Sequence, residues 1–403
     1  MLTLTSSSTY VEDAFAWARK RALDWVQTGT GNLPSYWAGY PSRPMFYSRD
    51  VCHQAAGAHL LGLDAENFAM FRHFARSATP ARKWFPIWAF HFDGRIAALD
   101  YHDDEHFVRE IPAVFDLTYR ALEQYDWTGD RRWIDDPDLA AYYRHSVGEF
   151  VEAHDADGDG IPEAGGTADI FLGTATYNER EAPLFVAGDG LATQYAVLRK
   201  LGRHAEADRI QATYGKWWNG DHFARGITKD GLDFDWGLES HTLVPLFGLS
   251  GDERFLDYLE GQMESHPPLN IESFSYWPEF LFKYGRDESA WRWTKHLIDS
   301  RDDYPEISFT VVEHLVAGLL GIRPDAPNAG LSITSHLPTE IDDLIVDNLP
   351  IGAWTIRIHQ ESRHATEVTV HSGAAPLTVT VGSETHSVEP GSTVRVTQPK
   401  DPS

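Results

Sequence analysis

Most of the chain shows the hydrophobic spacing of amphipathic helices. From Tyr10 to about Gly321, apolar residues recur at intervals of three and four, and glycine or proline separates the segments. The segment VCHQAAGAHLLG also carries a face of small residues at 55–58. The predicted helices cover about residues 10–27, 51–62, 65–77, 112–128, 138–154, 190–202, 204–218, 238–247, 252–265, 276–285, 287–300 and 309–321.

The connections between these helices alternate in length. Long loops rich in Gly, Trp, Asp and Tyr occur at 28–49, 79–106, 155–189, 219–237 and 301–308. About twelve helices in hairpins predict a mainly α fold, an (α/α)6 toroid with six inner and six outer helices. One further candidate helix lies in the aromatic segment RKWFPIWAFHF, residues 82–92. Long loops gathered on one face usually carry function.

The pattern changes after Pro324. Four segments, DLIVDNLPIGAWTIRIHQ, ATEVTVHSG, PLTVTVGSE and STVRVTQ, alternate apolar and polar residues between Gly, Pro and Ser. We therefore predict two domains: the helical barrel over 1–324, and a small sandwich-like antiparallel β domain over 325–403.

The charge balance is strongly acidic. The 403 residues include 60 acidic and 34 basic side chains, a net charge of −26, which disfavours nucleic acid and anionic membranes as partners. No apolar run approaches the roughly 18 residues of a membrane span. The N-terminal stretch lacks the features of a secretory signal. Cys52 is the single cysteine, so we expect a cytoplasmic protein without an internal disulfide.

The stretch PMFYSRD, residues 44–50, leads into the second predicted helix. Arg49 offers a fixed fork of donors and Asp50 accepts hydrogen bonds, a pair that suits the hydroxyls of a sugar. In the alternative interpretation, Asp50 only caps the helix and Arg49 pairs with it.

The stretch DADGDGIPE begins like a calcium loop. Asp155, Asp157 and Asp159 alternate before Gly160, but the twelfth position is Gly166 rather than the glutamate of an EF-hand. We predict a turn here, with or without a cation. The run YHDDEHF also lacks the helical spacing of histidine ligands. The sequence therefore predicts no metal centre and no cofactor.

The stretch TATYNERE, residues 174–181, contains two candidate catalytic carboxylates. In an extended loop Glu179 and Glu181 share a face, while Arg180 points away. In a desolvated cleft, one of them would stay protonated as a general acid. The alternative is a solvent-facing acidic loop.

A further candidate lies near the last helix. Glu306 is predicted to lie in a loop containing proline just before that helix, where a carboxylate can activate water. Glu313 lies within the helix and is expected to face a neighbouring helix or solvent.

Together these motifs resemble the six-hairpin glycosidase superfamily, which includes glucoamylases, trehalases, α-L-rhamnosidases and processing α-glucosidases. The resemblance rests on the order of YSRDVCHQAAGAHLLGL, DADGDG, TYNERE, DGLATQYAVLRKLG and HLVAGLLGIRPD along the chain. It implies an exo-acting, anomer-inverting glycoside hydrolase with Glu179 as general acid, Glu181 as the second choice and Glu306 as general base. Related enzymes often have Asp where this chain has Asn178.

We expect a small-molecule or oligosaccharide substrate. Arg49 and Asp50 would hold hydroxyls of the terminal sugar, and aromatic rings would supply platforms. The complete set of predicted substrate-binding residues is Tyr47, Arg49, Asp50, Trp84, Trp88, His102, Asp103, Tyr177, Trp236 and Trp277.

Two classes of alternative stay open. One is another carbohydrate enzyme on the same barrel: a phosphorylase, a polysaccharide lyase, or an epimerase that uses histidines as acid and base. The other is a non-catalytic sugar-binding protein. The histidines that an epimerase would use are His53, His59, His102 and His241.

Overall fold

The computed structural model of the chain describes residues 1–179 and 183–397. Within these ranges the chain forms fourteen α-helices and sixteen strands. The helices are α1 (Thr9–Asp24), α2 (Ser48–Leu60), α3 (Asp64–Ser77), α4 (Ile111–Thr128), α5 (Arg132–Asp135), α6 (Pro137–Ser146), α7 (Glu149–His154), α8 (Gly188–Lys200), α9 (His204–Gly215), α10 (Leu238–Leu246), α11 (Glu253–Ser265), α12 (Trp277–Lys283), α13 (Asp287–Ser300) and α14 (Pro305–Glu313).

The strands are short in the helical part and longer towards the C-terminus. They are β1 (Thr3–Ser6), β2 (Val26–Gln27), β3 (Ser35–Tyr36), β4 (Phe46–Tyr47), β5 (Ala89–Phe90), β6 (Val186–Ala187), β7 (Gly226–Thr228), β8 (Gly231–Asp233), β9 (Arg323–Asp325), β10 (Gly330–Ile333), β11 (Asp343–Ile351), β12 (Trp354–Glu361), β13 (Ala365–Ser372), β14 (Leu377–Val381), β15 (Glu384–Val388) and β16 (Thr393–Thr397).

Six helices form an inner ring. α2, α4, α8, α10 and α12 pack side by side in that order. α12 contacts the π-helical segment His314–Gly318 that continues α14, and α14 closes the ring against α2. Outer helices pack on them, α1 on α14, α3 on α2, α9 on α8 and α13 on α12. The predicted (α/α)6 toroid is confirmed. Because inner and outer helices alternate along the chain, the N-termini of the inner helices meet at one end of the ring.

Glycines allow the inner helices to approach closely. A Cβ atom at Gly57 of α2 would lie 2.2 Å from the carbonyl oxygen of Phe309 in α14. A Cβ atom at Gly188 of α8 would lie equally close, 2.2 Å, to the carbonyl oxygen of Ser240 in α10. The small-residue face predicted at 55–58 thus includes a contact between two inner helices. Across the described ranges, no helix is long and apolar enough to span a membrane.

Three local predictions are wrong. Asp50 does not cap α2, because Tyr47 is the N-cap and Asp50 lies in the first helical turn. The helix predicted over 138–154 is interrupted between α6 and α7, where Gly148 adopts a non-helical backbone. The aromatic segment 82–92 contains strand β5 instead of a further α-helix.

The C-terminal strands β9 to β16 form two sheets together with the N-terminal strand β1. One has the order β1-β11-β12-β13-β16 and the other β15-β14-β10-β9. Neighbouring strands are antiparallel except β10 and β14, which are parallel. Buried and accessible residues alternate along β12, which confirms the period-two prediction. The N-terminal strand β1 forms an edge of the first sheet, and the division of the chain at residue 324 stays a prediction.

Candidate active site

A cavity of about 520 Å³ opens at the end of the ring where the inner helices begin. The first turns of α2 and α10 and the residue before α14 line it, together with long loops. Helix N-termini carry partial positive charge, so this end of the ring favours carboxylates. The lining includes Tyr40, Tyr47, Arg49, Asp50, Trp88, Tyr177, Glu179, Glu239, Asn270, Glu272 and Tyr304.

Arg49 and Glu272 form an ion pair in the cavity wall. Arg49 Nη2 donates to Glu272 Oε1 at 2.7 Å, and Nη1 donates to the Tyr177 carbonyl at 3.0 Å. Glu272 Oε2 accepts from the Tyr304 hydroxyl at 2.7 Å and from the Asn270 amide at 2.9 Å. Arg49 is therefore ion-paired with Glu272, a residue distant in sequence.

Asp50, Glu272 and Glu306 bring carboxylate oxygens within 4.8 Å of one another. Their side chains are almost inaccessible, with residue exposures of 4%, 5% and 0%. Burial and the charges of the other two raise the pKa of Asp50 well above its ordinary value. Burial and Glu272 do the same to the pKa of Glu306. Three ionised carboxylates here would need positive charge beyond that of Arg49.

The loop position predicted for Glu306 is wrong. The helix α14 begins at Pro305, the residue before Glu306. Glu306 therefore lies in the first helical turn and points into the ring interior. Glu306 Oε1 accepts from the Ser275 hydroxyl at 2.5 Å and lies 2.8 Å from His53 Nδ1. Glu306 is packed behind the cavity lining.

Glu179 lines the cavity and is partly accessible. Its neighbour Asn178 forms a side-chain hydrogen bond to Glu239, a carboxylate in the first turn of α10. Burial raises the pKa of Glu239, although Arg49 and Asn178 act in the opposite direction. Asparagine at position 178 thus supplies an amide donor to a second acidic residue of the same cavity. Glu181, Arg180 and Ala182 lie outside the described residues.

The loop that carries Glu179 is anchored to the start of α8. Asp189 Oδ2 accepts from the Tyr177 backbone N–H at 2.7 Å and from the Thr176 hydroxyl at 2.9 Å. The Tyr177 hydroxyl donates to Asp116 Oδ2 at 2.9 Å. These bonds hold the backbone immediately before Glu179, so the position of Glu179 depends on the inner ring.

Trp88 and Tyr47 form an aromatic corner of the cavity. Their rings meet edge to face, 4.9 Å between centroids. The indole N–H of Trp88 donates to Glu110 Oε2 at 2.9 Å, and Glu110 is the N-cap residue of α4. Burial raises the pKa of Glu110 well above its ordinary value, and Arg49 acts against this rise. Trp88 is therefore fixed by a buried acid and offers a half-buried ring to the cavity.

Five predicted substrate-binding residues lie elsewhere. Trp84 stacks on His145 with ring centroids 4.0 Å apart, and Trp236 stacks on His241 at 5.3 Å. Trp277 is fully buried in the core. The residues that do not line this cavity are Trp84, His102, Asp103, Trp236 and Trp277, of which His102 and Asp103 are exposed.

The histidines named for an epimerase do not line the cavity either. His53 is buried against Glu306, and burial lowers its pKa to about 3. His59 lies 2.7 Å from Asp64. His241 is buried, and desolvation lowers its pKa to about 3. These three residues serve packing and internal hydrogen bonds.

Sequence reasoning missed three acidic residues of the site: Glu110, Glu239 and Glu272. Glu110 and Glu239 occupy the starts of inner helices, as Asp50 does. The sequence pattern that could have predicted these two residues is an acidic residue at the start of each inner helix. Glu272 lies in a short 3-10 turn, Ile271–Phe274, for which the sequence has no periodic signal.

The acidic turn after α7 forms as predicted. Asp155 accepts backbone N–H bonds from Gly158 and Gly160 at 2.8 and 2.9 Å. Oxygens of Asp155, Asp157 and Asp159 lie within 4.8 Å of one another, and the second and third residues are exposed. These backbone donors fix the Asp155 carboxylate within the turn.

Glu313 faces a second cavity, of about 350 Å³, at the other end of the inner ring. Arg120 and Glu279 also line it, and Arg120 donates to both Glu279 oxygens at 3.0 and 3.2 Å. Burial and the charge of Glu279 raise the pKa of Glu313 well above its ordinary value. Glu313 was predicted to face a neighbouring helix or solvent, and this cavity was not predicted.

Comparison with known proteins gives structural matches only. No protein-family model and no curated protein sequence matches the chain. The GH78 family rhamnosidase of Bacillus sp. GL1 is 12% identical with a TM-score of 0.65, covering 95% of this chain and 42% of the rhamnosidase. A putative kojibiose phosphorylase from the human microbiome is 9% identical with a TM-score of 0.67, covering 98% and 63% respectively.

A glycosidase in complex with glucose is 10% identical with a TM-score of 0.54, covering 76% of this chain and 96% of that glycosidase. This chain thus spans less than two thirds of the rhamnosidase and of the phosphorylase. Its fold matches that of these structures, an (α/α)6 barrel with a C-terminal β region. At these identities the matches establish the fold and nothing finer.

Proposed function

We propose that the protein is a glycoside hydrolase that releases a terminal sugar from a short oligosaccharide or glycoside with inversion. The observation that carries this proposal is the cavity at the helix starts, where four carboxylates, two arginines and several aromatic rings converge. Its volume of about 520 Å³ falls in the range of small-molecule sites. Carboxylates and a fixed guanidinium match the many hydroxyls of a sugar, and the rings match its apolar faces.

In the proposed reaction Glu179 protonates the glycosidic oxygen. Arg49 and Asp50 hold hydroxyls of the terminal sugar, and Trp88 packs against its ring. Water attacks from the opposite side, activated by a carboxylate of the other wall. Inversion requires about 6.5–9.5 Å between the two carboxyl groups, so that water fits between sugar and base.

Glu272 is the better candidate for the general base than Glu306. A base must be ionised before it accepts a proton. Glu272 lines the cavity and forms an ion pair with Arg49 at 2.7 Å. Glu306 is fully buried with a raised pKa, which favours its protonated form. The assignment of Glu306 as base stays a prediction.

The other carbohydrate enzymes have less support. An epimerase that uses His53, His59, His102 and His241 would need them in the cavity, and its lining contains none of them. A phosphorylase must hold phosphate, yet the lining has four carboxylates against Arg43 and Arg49. Phosphate would be repelled by that balance of charge.

A non-catalytic sugar-binding protein is the second candidate. Asn178 favours it, because an amide cannot donate a proton to a leaving group and instead bonds to Glu239. The two candidates make the same prediction for binding and opposite predictions for turnover.

The deciding experiment is a panel of aryl glycosides and disaccharides, followed by NMR of the first anomer released. We expect one sugar to be released with inverted configuration. Binding without release would support the sugar-binding protein, and a retained configuration would contradict the proposed geometry.

Glu179→Gln tests the general acid, and Glu105→Gln on the exposed loop is the matched control. We expect Glu179→Gln to lower kcat by about 10²–10⁴-fold for disaccharides. The loss should be smaller for aryl glycosides, whose leaving groups need less protonation. Full disaccharide activity in Glu179→Gln would remove Glu179 from the mechanism.

A further inference from the structure

Three carboxylates from distant parts of the chain meet beneath the candidate sugar site. Asp50 comes from the first turn of α2, Glu272 from the turn Ile271–Phe274, and Glu306 from the first turn of α14. Each offers an oxygen within 4.8 Å of the other two. Asp50 and Glu272 line the cavity, so the cluster is connected to it. This is an acidic group built into the ring, not a surface cluster.

The charges within this group do not balance. Arg49 bonds to Glu272 at 2.7 Å and neutralises one of the three carboxylates. Asp50 and Glu306 then remain as two buried acids without a cationic partner of their own. Buried charges of the same sign are unfavourable, so the pair needs protons or a cation of charge two.

The hydrogen bonds of Glu306 leave one oxygen unused. Oε1 lies 2.5 Å from the Ser275 hydroxyl, which is equally close to the Glu272 carbonyl, and 2.8 Å from His53 Nδ1. Oε2 is buried and has no hydrogen-bond partner among the described residues. A buried carboxylate oxygen without a donor is unusual in a folded protein and calls for a partner.

We propose that Asp50, Glu272 and Glu306 bind one hard divalent cation of the calcium type beneath the sugar site. The donor set is all oxygen, which calcium, magnesium and manganese prefer. Calcium-to-oxygen distances of about 2.3–2.6 Å place two ligands up to about 5 Å apart, which accommodates separations of up to 4.8 Å.

A cation held by these carboxylates would lie next to the cavity, because Asp50 and Glu272 line it. Calcium takes about six to eight oxygen ligands, and three carboxylates supply only part of that number. Water or vicinal sugar hydroxyls would complete the shell. The cation would thereby neutralise Asp50 and Glu306 and orient the terminal sugar.

Direct metal binding tests this site without any substrate. Protein stripped with a chelator is titrated with CaCl2, MgCl2 and MnCl2 by calorimetry, and thermal unfolding is recorded at each concentration. We expect one site per chain with calcium preferred over magnesium, and a rise in Tm with calcium. Absence of binding by all three ions at millimolar concentration overturns the proposal. In that case the buried carboxylates are neutralised by shared protons.

Two variants separate this site from the exposed aspartate turn. Glu306→Gln keeps the shape of the side chain and removes one charged ligand, and we expect at least about tenfold weaker calcium binding. The double variant Asp155→Asn/Asp157→Asn removes two carboxylates from the turn, and we expect the calcium affinity of the wild type. The reverse pattern, with binding lost in the double variant and kept in Glu306→Gln, contradicts the proposal.

A spectroscopic measurement keeps the test valid if Glu306→Gln does not fold. The Tyr304 hydroxyl lies 2.7 Å from Glu272 Oε2, so a terbium ion in the site would be excited through tyrosine. In the Asp155→Asn/Asp157→Asn background, we expect sensitised terbium emission that calcium suppresses. No emission contradicts the site. Because neither experiment uses a substrate, a failure of the proposed hydrolase activity leaves this outcome unaffected.

Discussion

The guanidinium of Arg49 and the carboxylate of Glu272 form a buried ion pair, with Nη2 and Oε1 2.7 Å apart. The pair joins the start of one inner helix to a turn 223 residues later in the chain. Only 18% of the Arg49 side chain and 6% of the Glu272 side chain are exposed. The cavity wall therefore depends on a contact that forms only when the ring closes.

Arg49→Met should destabilise the protein strongly. Methionine preserves much of the side-chain volume but leaves Glu272 buried without its counter-charge, which costs about 3–5 kcal/mol. Urea unfolding measures the loss. The double variant Arg49→Met/Glu272→Gln should recover a large part of it, because no uncompensated charge remains. Equal stability of the single and double variants would mean that the charge of Glu272 is not the cause.

Trp88→Ala should weaken sugar binding by about tenfold, the equivalent of about 1.4 kcal/mol. Trp88 lines the cavity, whereas Trp84 stacks on His145 away from it. Trp84→Ala is therefore the matched control and should bind as the wild type does. Calorimetry with the tightest-binding glycoside of the panel provides the measurement. A similar loss in both variants would point to a general effect on folding.

Gly57→Ala and Gly261→Ala should change stability in opposite directions. A Cβ atom at Gly57 would collide with the Phe309 carbonyl at 2.2 Å, so α2 and α14 must separate. In α11, a Cβ atom at Gly261 meets no atom within 4 Å, and alanine is the better helix former by about 1 kcal/mol. Thermal unfolding should give a lower Tm for Gly57→Ala and a slightly higher one for Gly261→Ala. A tolerated Gly57→Ala would show that the inner ring can expand.

The helices and the β region were predictable because their signals are local. The apolar stripe of α14 and the alternation along β12 are read directly from neighbouring residues. The break between α6 and α7 was not predicted from Gly148, because glycine is also tolerated within helices. The strand at 82–92 is only two residues long, too short for any periodicity.

The candidate site was only partly predictable because it is assembled across the ring. Arg49, Asp50 and Glu179 were found from their own stretches. Glu272 carries no signal in its stretch, and its partner Arg49 is distant in sequence. Trp277 was predicted to bind substrate but is buried in the core. A tryptophan in an aromatic-rich segment is as compatible with the core as with a sugar platform.

The buried carboxyl of Asp116 should make stability depend on pH. Burial raises the pKa of Asp116 from 3.8 to about 7, although Arg120 and the Tyr177 hydroxyl act against this rise. Between about pH 4 and pH 7 the folded protein therefore keeps a proton that the unfolded chain releases. The stabilisation is present in full below about pH 4 and is lost as the pH rises through about 7, by at most about 4 kcal/mol.

Asp116→Asn should remove this contribution while keeping an acceptor for the Tyr177 hydroxyl. The free energy of unfolding in urea, measured from pH 4 to pH 7, should fall less steeply in Asp116→Asn than in the wild type. Asp230→Asn, at an exposed position in the β7–β8 turn, is the control and should follow the wild type. Parallel curves for Asp116→Asn and the wild type would mean that Asp116 is ionised in the folded protein throughout this range.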